Sequence, residues 1–178
     1  MLGLCASYFL RIIFSLFVAI LFASCATTSS ISINKEPGPP TKLVVYIEGI
    51  KNNHGKLLAF IHDNSRSYYS DDNVNGEDFS AFRFEKVDPT VPVTTVIFEN
   101  IPAGHYAING PHDEDEDGAL GRQIFPFPGM PSERYGISND VFSWFSKASF
   151  EDALVEVRPP LTEITIKMST HLQKLFGG

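Results

Sequence analysis

The stretch TTVIFENIPAGHYAIN, residues 94–109, reads as two strands about a turn. In Thr94-Thr95-Val96-Ile97-Phe98 and again in His105-Tyr106-Ala107-Ile108-Asn109, apolar side chains recur every second residue or in a short run. A period of two sends alternate side chains to opposite faces of a strand, whereas a helix needs apolar residues three and four apart. Pro102-Ala103-Gly104 lies between the halves and combines a fixed φ with a residue tolerant of positive φ, a turn composition.

The same grammar continues outward. Leu43–Ile47 (LVVYI), Leu57–Ile61 (LLAFI) and FRFEKV from Phe82 precede the hairpin, and Ala153–Val157 (ALVEV) and Glu163–Met168 (EITIKM) follow it, giving seven strand segments in all. Asn52-Asn53-His54-Gly55, Asn75-Gly76 and Pro159-Pro160 punctuate them. No segment of ten or more residues has the apolar stripe of a core helix. Strands that follow strands bury one face each most simply as two packed sheets, so the expected fold is all-β. The expectation is an antiparallel sandwich of about seven strands over residues 42–170, with 171–178 a C-terminal tail. Trp144, with Phe142 and Phe145, is expected to pack across a sandwich end as a core aromatic, with a ligand platform as the alternative.

Composition agrees with one folded domain. The 178 residues are 43% hydrophobic and 20% charged, which excludes global disorder. The formal charge of -7 has the wrong sign for a chain that grips phosphate backbones, so nucleic acid is not an expected partner. Cys5 and Cys25 both precede the first polar segment, so no disulfide framework supports the fold.

Those cysteines belong to an addressing segment. Ile12–Ala23 is apolar except for Ser15, follows Arg11 and ends at Ser24-Cys25-Ala26, the arrangement of a signal peptide over residues 1–24. At 1.5 Å per residue this run is too short to span a hydrocarbon core of about 30 Å, so a retained anchor is the lesser reading. Leu21-Phe22-Ala23-Ser24-Cys25 resembles a bacterial lipobox, with Phe22 where Leu is usual. The resemblance implies lipidation at Cys25 and a membrane held through a lipid anchor. Residues 25–41, rich in Ser, Thr, Pro and Gly, suit a flexible tether.

The sharpest chemistry lies just past the second strand of the opening hairpin. His112-Asp113-Glu114-Asp115-Glu116-Asp117-Gly118 sets Asp113, Asp115 and Asp117 at alternate positions ahead of a glycine. Alternate side chains of a tight loop can converge on a hard cation that takes six to eight oxygens, so calcium is the expected metal. The helix-loop-helix form is excluded because Ile124 stands where a closing carboxylate is needed and Pro126 and Pro128 forbid a following helix. Asp71, Asn73 and Asn75 echo the spacing more faintly, and Asn75-Gly76 explains the same letters as a turn. His62-Asp63 and His112-Asp113 offer the alternative of a secreted metal-dependent hydrolase, with either His as ligand or base. Against it, the chain carries no Gly-x-Ser-x-Gly, no His-Glu-x-x-His and no paired-cysteine motif.

The order of these motifs resembles the bacterial domain-of-unknown-function 2141 family. Tyr106-Ala107 and the acidic loop are followed by Pro131-Ser132-Glu133-Arg134-Tyr135-Gly136-Ile137-Ser138-Asn139-Asp140 and then Ser149-Phe150-Glu151-Asp152-Ala153. Val45–Gly49, Gly55-Lys56-Leu57 and Phe60 are similar to its first hairpin. The resemblance implies an exported, compact β domain, an immunoglobulin-like or transthyretin-like sandwich, with no established activity. Two departures are Ala119-Leu120-Gly121-Arg122, which sets a cation near the acids, and Phe125-Pro126-Phe127-Pro128-Gly129-Met130, which lengthens the link to Pro131. That stiffened apolar loop suits either a pocket rim or surface packing. Glu133, Asn139 and Asp140 are oxygen donors that could complete a cation shell begun by Asp113, Asp115 and Asp117. The expected function is thus a cell-envelope lipoprotein, outer-membrane or periplasm-facing, acting as a binding or structural module. Calcium would be its structural clamp, and its ligand a protein or an envelope glycan.

Overall fold

The computed structural model of the protein describes residues 39–70, 81–118, 120–126 and 128–177. The signal segment, Cys25 and the faint second acidic loop at 71–78 lie outside the described residues. The described residues form eight strands, two short α-helices and one 3-10 turn at Ser138–Asp140: β1 Thr41–Glu48, β2 Lys56–His62, α1 Ser65–Ser70, β3 Arg83–Val87, β4 Val93–Ile101, β5 Gly104–Asp113, β6 Tyr135–Ile137, β7 Leu154–Val157, β8 Leu161–Lys167 and α2 His171–Phe176. All seven sequence segments are strands, and β6 is the addition.

Two sheets face each other, one ordered β4-β1-β8 and the other β3-β2-β5-β6, with β7 also on β5. Every pairing is antiparallel except β1 with β8. That pair corrects the wholly antiparallel expectation. The chain reaches β8 by crossing from β7 in the other sheet, and it enters beside Lys42 at the end where β1 also begins, so the two strands run the same way.

Period-two patterning builds the interface between the sheets. Leu43, Val45 and Ile47 of β1, Val96 and Phe98 of β4, Leu57, Ala59 and Ile61 of β2, and Tyr106 and Ile108 of β5 form one buried cluster. β5 is also covered on its outer face, where Tyr68 of α1, Ala107, Ile137, Ala148, Phe150 and Ala153 make a second cluster, and Leu58 and Phe60 of β2 make a third with Ala81. β5 is therefore buried almost along its whole length and is the central strand of its sheet. β6 and β7 share its free edge, β6 against Asn109–Pro111 and β7 against Gly104–Ala107.

Two expectations need correction. The stretch read as a tail carries α2, whose Thr170 and Gln173 cap each other in a capping box and whose His171 is buried. Six residues are too few to display an apolar stripe, and tertiary packing supplies what propensity cannot. Trp144 is 60% exposed and Phe145 72% exposed, so neither is a core aromatic. Only Phe142 turns inward, with its ring 5.2 Å from that of His171. Among the described residues no helix is long and apolar enough to cross a membrane.

Candidate metal centre

β5 continues as a strand through His112 and Asp113 because β2 pairs with it to the end, Leu57 opposite His112 and Lys56 opposite Asp113. The first acidic residue of the loop is thereby drawn inside: Asp113 is 0% exposed. Gly55, at a φ of +71°, makes this fit possible, since a Cβ there would stand 1.9 Å from the Asp113 carbonyl oxygen. The chain then reverses. Gly118, at a φ of +77°, turns its N–H back onto Asp113 Oδ2 at 3.3 Å. Asp113 Oδ1 is buried and has no hydrogen-bond partner.

The β5–β6 register explains which distant acid arrives. Asn109 faces Ile137, Gly110 faces Gly136 and Pro111 faces Tyr135, so two residues further on Glu133 stands across from Asp113. Asp113, Asp115 and Glu133 each present a carboxylate oxygen within 4.8 Å of the other two. Glu133 is held in place by accepting the Glu114 N–H on Oε1 and the Gly121 N–H on Oε2, both at 2.9 Å. Asp117 lies outside that group, but its N–H donates to Asp115 Oδ1 at 3.3 Å.

Burial dominates the electrostatics. It pushes the Asp113 carboxyl up, the charges of Asp117 and Asp115 push it further, and the N–H groups of Gly118 and Glu116 oppose them. Glu133 is raised for the same first reason, against the N–H groups of Gly121 and Glu114. Three carboxylates gathered around one desolvated oxygen form an anionic corner that a small cation would neutralise.

Asn139 does not belong to it. The register that delivers Glu133 carries Asn139 toward Ala107, six residues along β5 from Asp113 and about 20 Å away at 3.3 Å per residue. Its amide instead donates to the carbonyls of Asp152 and Leu154, both at 2.9 Å, from a left-handed φ of 60°. Asn139 thus pins the start of β7.

Both histidines of the hydrolase alternative are engaged elsewhere. His62 is fully buried; its Nε2–H donates to Asn109 Oδ1 at 2.7 Å and its Nδ1 meets Ser67 Oγ at 3.1 Å. Burial, followed by the charge of Lys147, pushes its pKa down to about 3, so it is neutral. His112 points to the opposite face of β5 from Asp113, where its Nε2–H donates to the His54 carbonyl at 2.8 Å. Its Nδ1 lies 3.7 Å from Glu114 Oε1. Among the described residues no histidine joins the carboxylate group.

A two-sheet β domain with one carboxylate-rich corner at the end of its central strand is the class of protein these features define. Residues 45–165 match the family described as an uncharacterized protein conserved in bacteria, DUF2141, and the chain belongs to that family. No curated protein and no solved structure matches the chain.

Proposed function

We propose that this bacterial protein is a cell-envelope lipoprotein whose β-sandwich serves as a binding or structural module, with calcium as a clamp at the acidic corner. One observation carries the clamp. A carboxylate that is 0% exposed leaves Oδ1 with no hydrogen-bond partner, on a residue within reach of two further carboxylates. Leaving such a group desolvated and unpaired is costly, and a divalent cation would relieve both that cost and the mutual repulsion. Asp113, Asp115 and Glu133 would hold the ion, with Asp117 alongside; oxygen donors of this kind suit calcium rather than a soft metal. Such an ion would join the end of β5 to the residue that leads into β6, and folding and binding would be linked.

The lipoprotein part rests on sequence. The apolar run Ile12–Ala23 after Arg11 and the lipobox-like Leu21–Cys25 support acylation at Cys25, with residues 25–41 as the tether. Melting curves in excess calcium and in chelator test the clamp; superimposable curves would refute it. Labelling with a palmitate analogue tests the anchor, and unchanged labelling of Cys25→Ala would sink it.

A further inference from the structure

An open groove runs beside the β5–β6 pair, and its two sides are fastened to different parts of the fold. Gly110 and Gly136 of the strand pair line it, with Arg122 and Met130 from one loop and Phe142 and Ser146 from another. The first side is a hairpin whose arms are residues 121–123 and 130–132. Gln123 N–H donates to the Met130 carbonyl and Ser132 N–H to the Gly121 carbonyl, both at 2.8 Å, and among the described residues the backbone–backbone hydrogen bonds of the hairpin all close within it. The acidic corner ties its base to the domain. Gly118 N–H, just ahead of the hairpin, donates to Asp113 Oδ2 at 3.3 Å, Gly121 N–H donates to Glu133 Oε2 at 2.9 Å, and Glu133 is the residue that follows the second arm. We infer that the corner is a calcium switch, in which the ion held by Asp113, Asp115 and Glu133 sets the hairpin and with it one side of the groove.

The switch rests on the calcium reading above and adds a regulatory consequence to it. Glu133 carries both halves of the coupling. Its Oε1 accepts the Glu114 N–H and its Oε2 the Gly121 N–H, while one of its oxygens lies within 4.8 Å of oxygens of Asp113 and Asp115. A carboxylate has about four lone-pair sites, so accepting two N–H groups leaves it sites for a cation. Without the ion the three like charges repel, and the outward push on Glu133 works against the Gly121 bond. With the ion the force changes sign. Close packing passes the effect on: a Cβ at Gly121 would stand 2.7 Å from Ser132 Oγ and 3.4 Å from Glu133 Cγ, so a shift of Glu133 reaches both arms.

The other side of the groove has its own fastenings. His171 of α2 donates from Nε2–H to the Trp144 carbonyl at 3.0 Å, Lys147 donates to the Tyr68 carbonyl of α1, and Phe150 N–H donates to the Tyr69 hydroxyl at 3.0 Å. None of these groups belongs to the corner. Calcium therefore sets the hairpin against a side that is already held. Mass action gives the size of the effect. Opening the base of the hairpin carries Glu133 away from the ion, so a form that has lost the site is disfavoured in proportion to calcium occupancy, about a hundredfold at a hundred times the dissociation constant.

Amide hydrogen exchange, followed by NMR on the full chain with calcium and with chelator, reads that factor bond by bond. At a hundred times the calcium Kd the Gly121, Gln123 and Ser132 amides should exchange about ten- to a hundredfold more slowly than in chelator. The Asp152 amide, which donates to Ser149 Oγ at 3.1 Å beyond the other side of the groove, should change by less than about twofold. Asp113→Asn should abolish the slowing at all three hairpin amides. Melting curves of the same samples separate the switch from the clamp. A calcium-dependent rise in Tm with hairpin exchange unchanged would overturn the switch and leave the clamp standing, whereas no response in either measurement would overturn both. Equal slowing at Asp152 would mean that the ion tightens the whole domain, and slowing that persists in Asp113→Asn would mean that the corner is not its source; either result overturns the switch.

Discussion

Two His-Asp pairs end two neighbouring strands of the same sheet, and the fold treats them oppositely. At the end of β2, His62 is buried with both ring nitrogens engaged, while Asp63 stays partly exposed and accepts a 2.8 Å hydrogen bond from the Asn64 amide. At the end of β5, His112 and Asp113 are both 0% exposed, and each keeps one polar atom without a hydrogen-bond partner. The first pair is complete within the protein. The second is complete only if something else supplies the missing partner, which is why the same dipeptide reads as structure in one place and as a site in the other.

Acid titration gives the largest expected contrast. His62 is neutral down to about pH 3 in the folded protein but titrates near its ordinary 6.5 when unfolded. The unfolded state therefore binds more protons between those values, and stability falls as pH drops from 6.5 toward 3, by on the order of 5 kcal/mol in full. Asp113 and Glu133 act with the opposite sign. Their raised pKa values make the folded chain the better proton acceptor, so in chelator they lose stability as pH rises through them. Denaturant titrations between pH 7 and pH 4 should show the His62 loss dominating, steeper with calcium, which holds the carboxylates ionised. His62→Leu should flatten the slope; an unchanged slope in that variant breaks the first half of the comparison.

Calcium comes next. At a hundred times its dissociation constant it should stabilise the wild type by about 2.7 kcal/mol, or about 5–15 °C in Tm. Asp115→Asn combined with Asp117→Asn should abolish that increment and leave the chelated protein equally or slightly more stable, because repulsion is removed with the ligands. A calcium response that survives the double substitution would move the ion away from this corner.

The strands were legible because their signal is local. LVVYI, LLAFI and TTVIF announce a pleated, half-buried surface within five residues each, and all three are strands. β6 escaped notice because Tyr135-Gly136-Ile137 is three residues long with a glycine at its centre, and only its pairing with Asn109, Gly110 and Pro111 of β5 makes it a strand. The corner was legible as composition, not as geometry. Five consecutive acids read as a solvated turn or a metal loop, but the burial of Asp113 depends on β2, and the arrival of Glu133 depends on the β5–β6 register. Both are contacts between residues far apart in the chain. Asn139 was misassigned for the same reason: its identity suggested a ligand, and the register carries it the other way. His171 had no local signal, since its partners Tyr135 and Trp144 are 36 and 27 residues away.

The reassignment of Asn139 is itself a test of smaller magnitude. Asn139→Ala removes two hydrogen bonds to carbonyls that lead into β7, at about 1 kcal/mol each, so stability should fall by about 1–2 kcal/mol. The calcium increment should be untouched. A variant that kept its stability and lost its calcium response would restore Asn139 to the cation shell and contradict the register argument.

The smallest effect sharpens the contrast most. Asp63→Asn keeps an oxygen at the position that accepts from Asn64, at a partly exposed residue, so stability should change by no more than about 0.5 kcal/mol and calcium should act as before. Asp113→Asn is the same chemical change at the other strand end, with a different expected outcome. It removes a charge that burial disfavours, so the chelated protein should lose no stability through desolvation; yet with its amide oxygen kept on the Gly118 N–H it also puts an NH2 group, which cannot ligate a cation, where the unpartnered Oδ1 stands. The calcium increment should therefore vanish in Asp113→Asn and persist in Asp63→Asn. Melting curves of the two variants, each with calcium and with chelator, separate sequence from environment: equal calcium responses would mean that the difference in burial between the two aspartates has no bearing on cation binding.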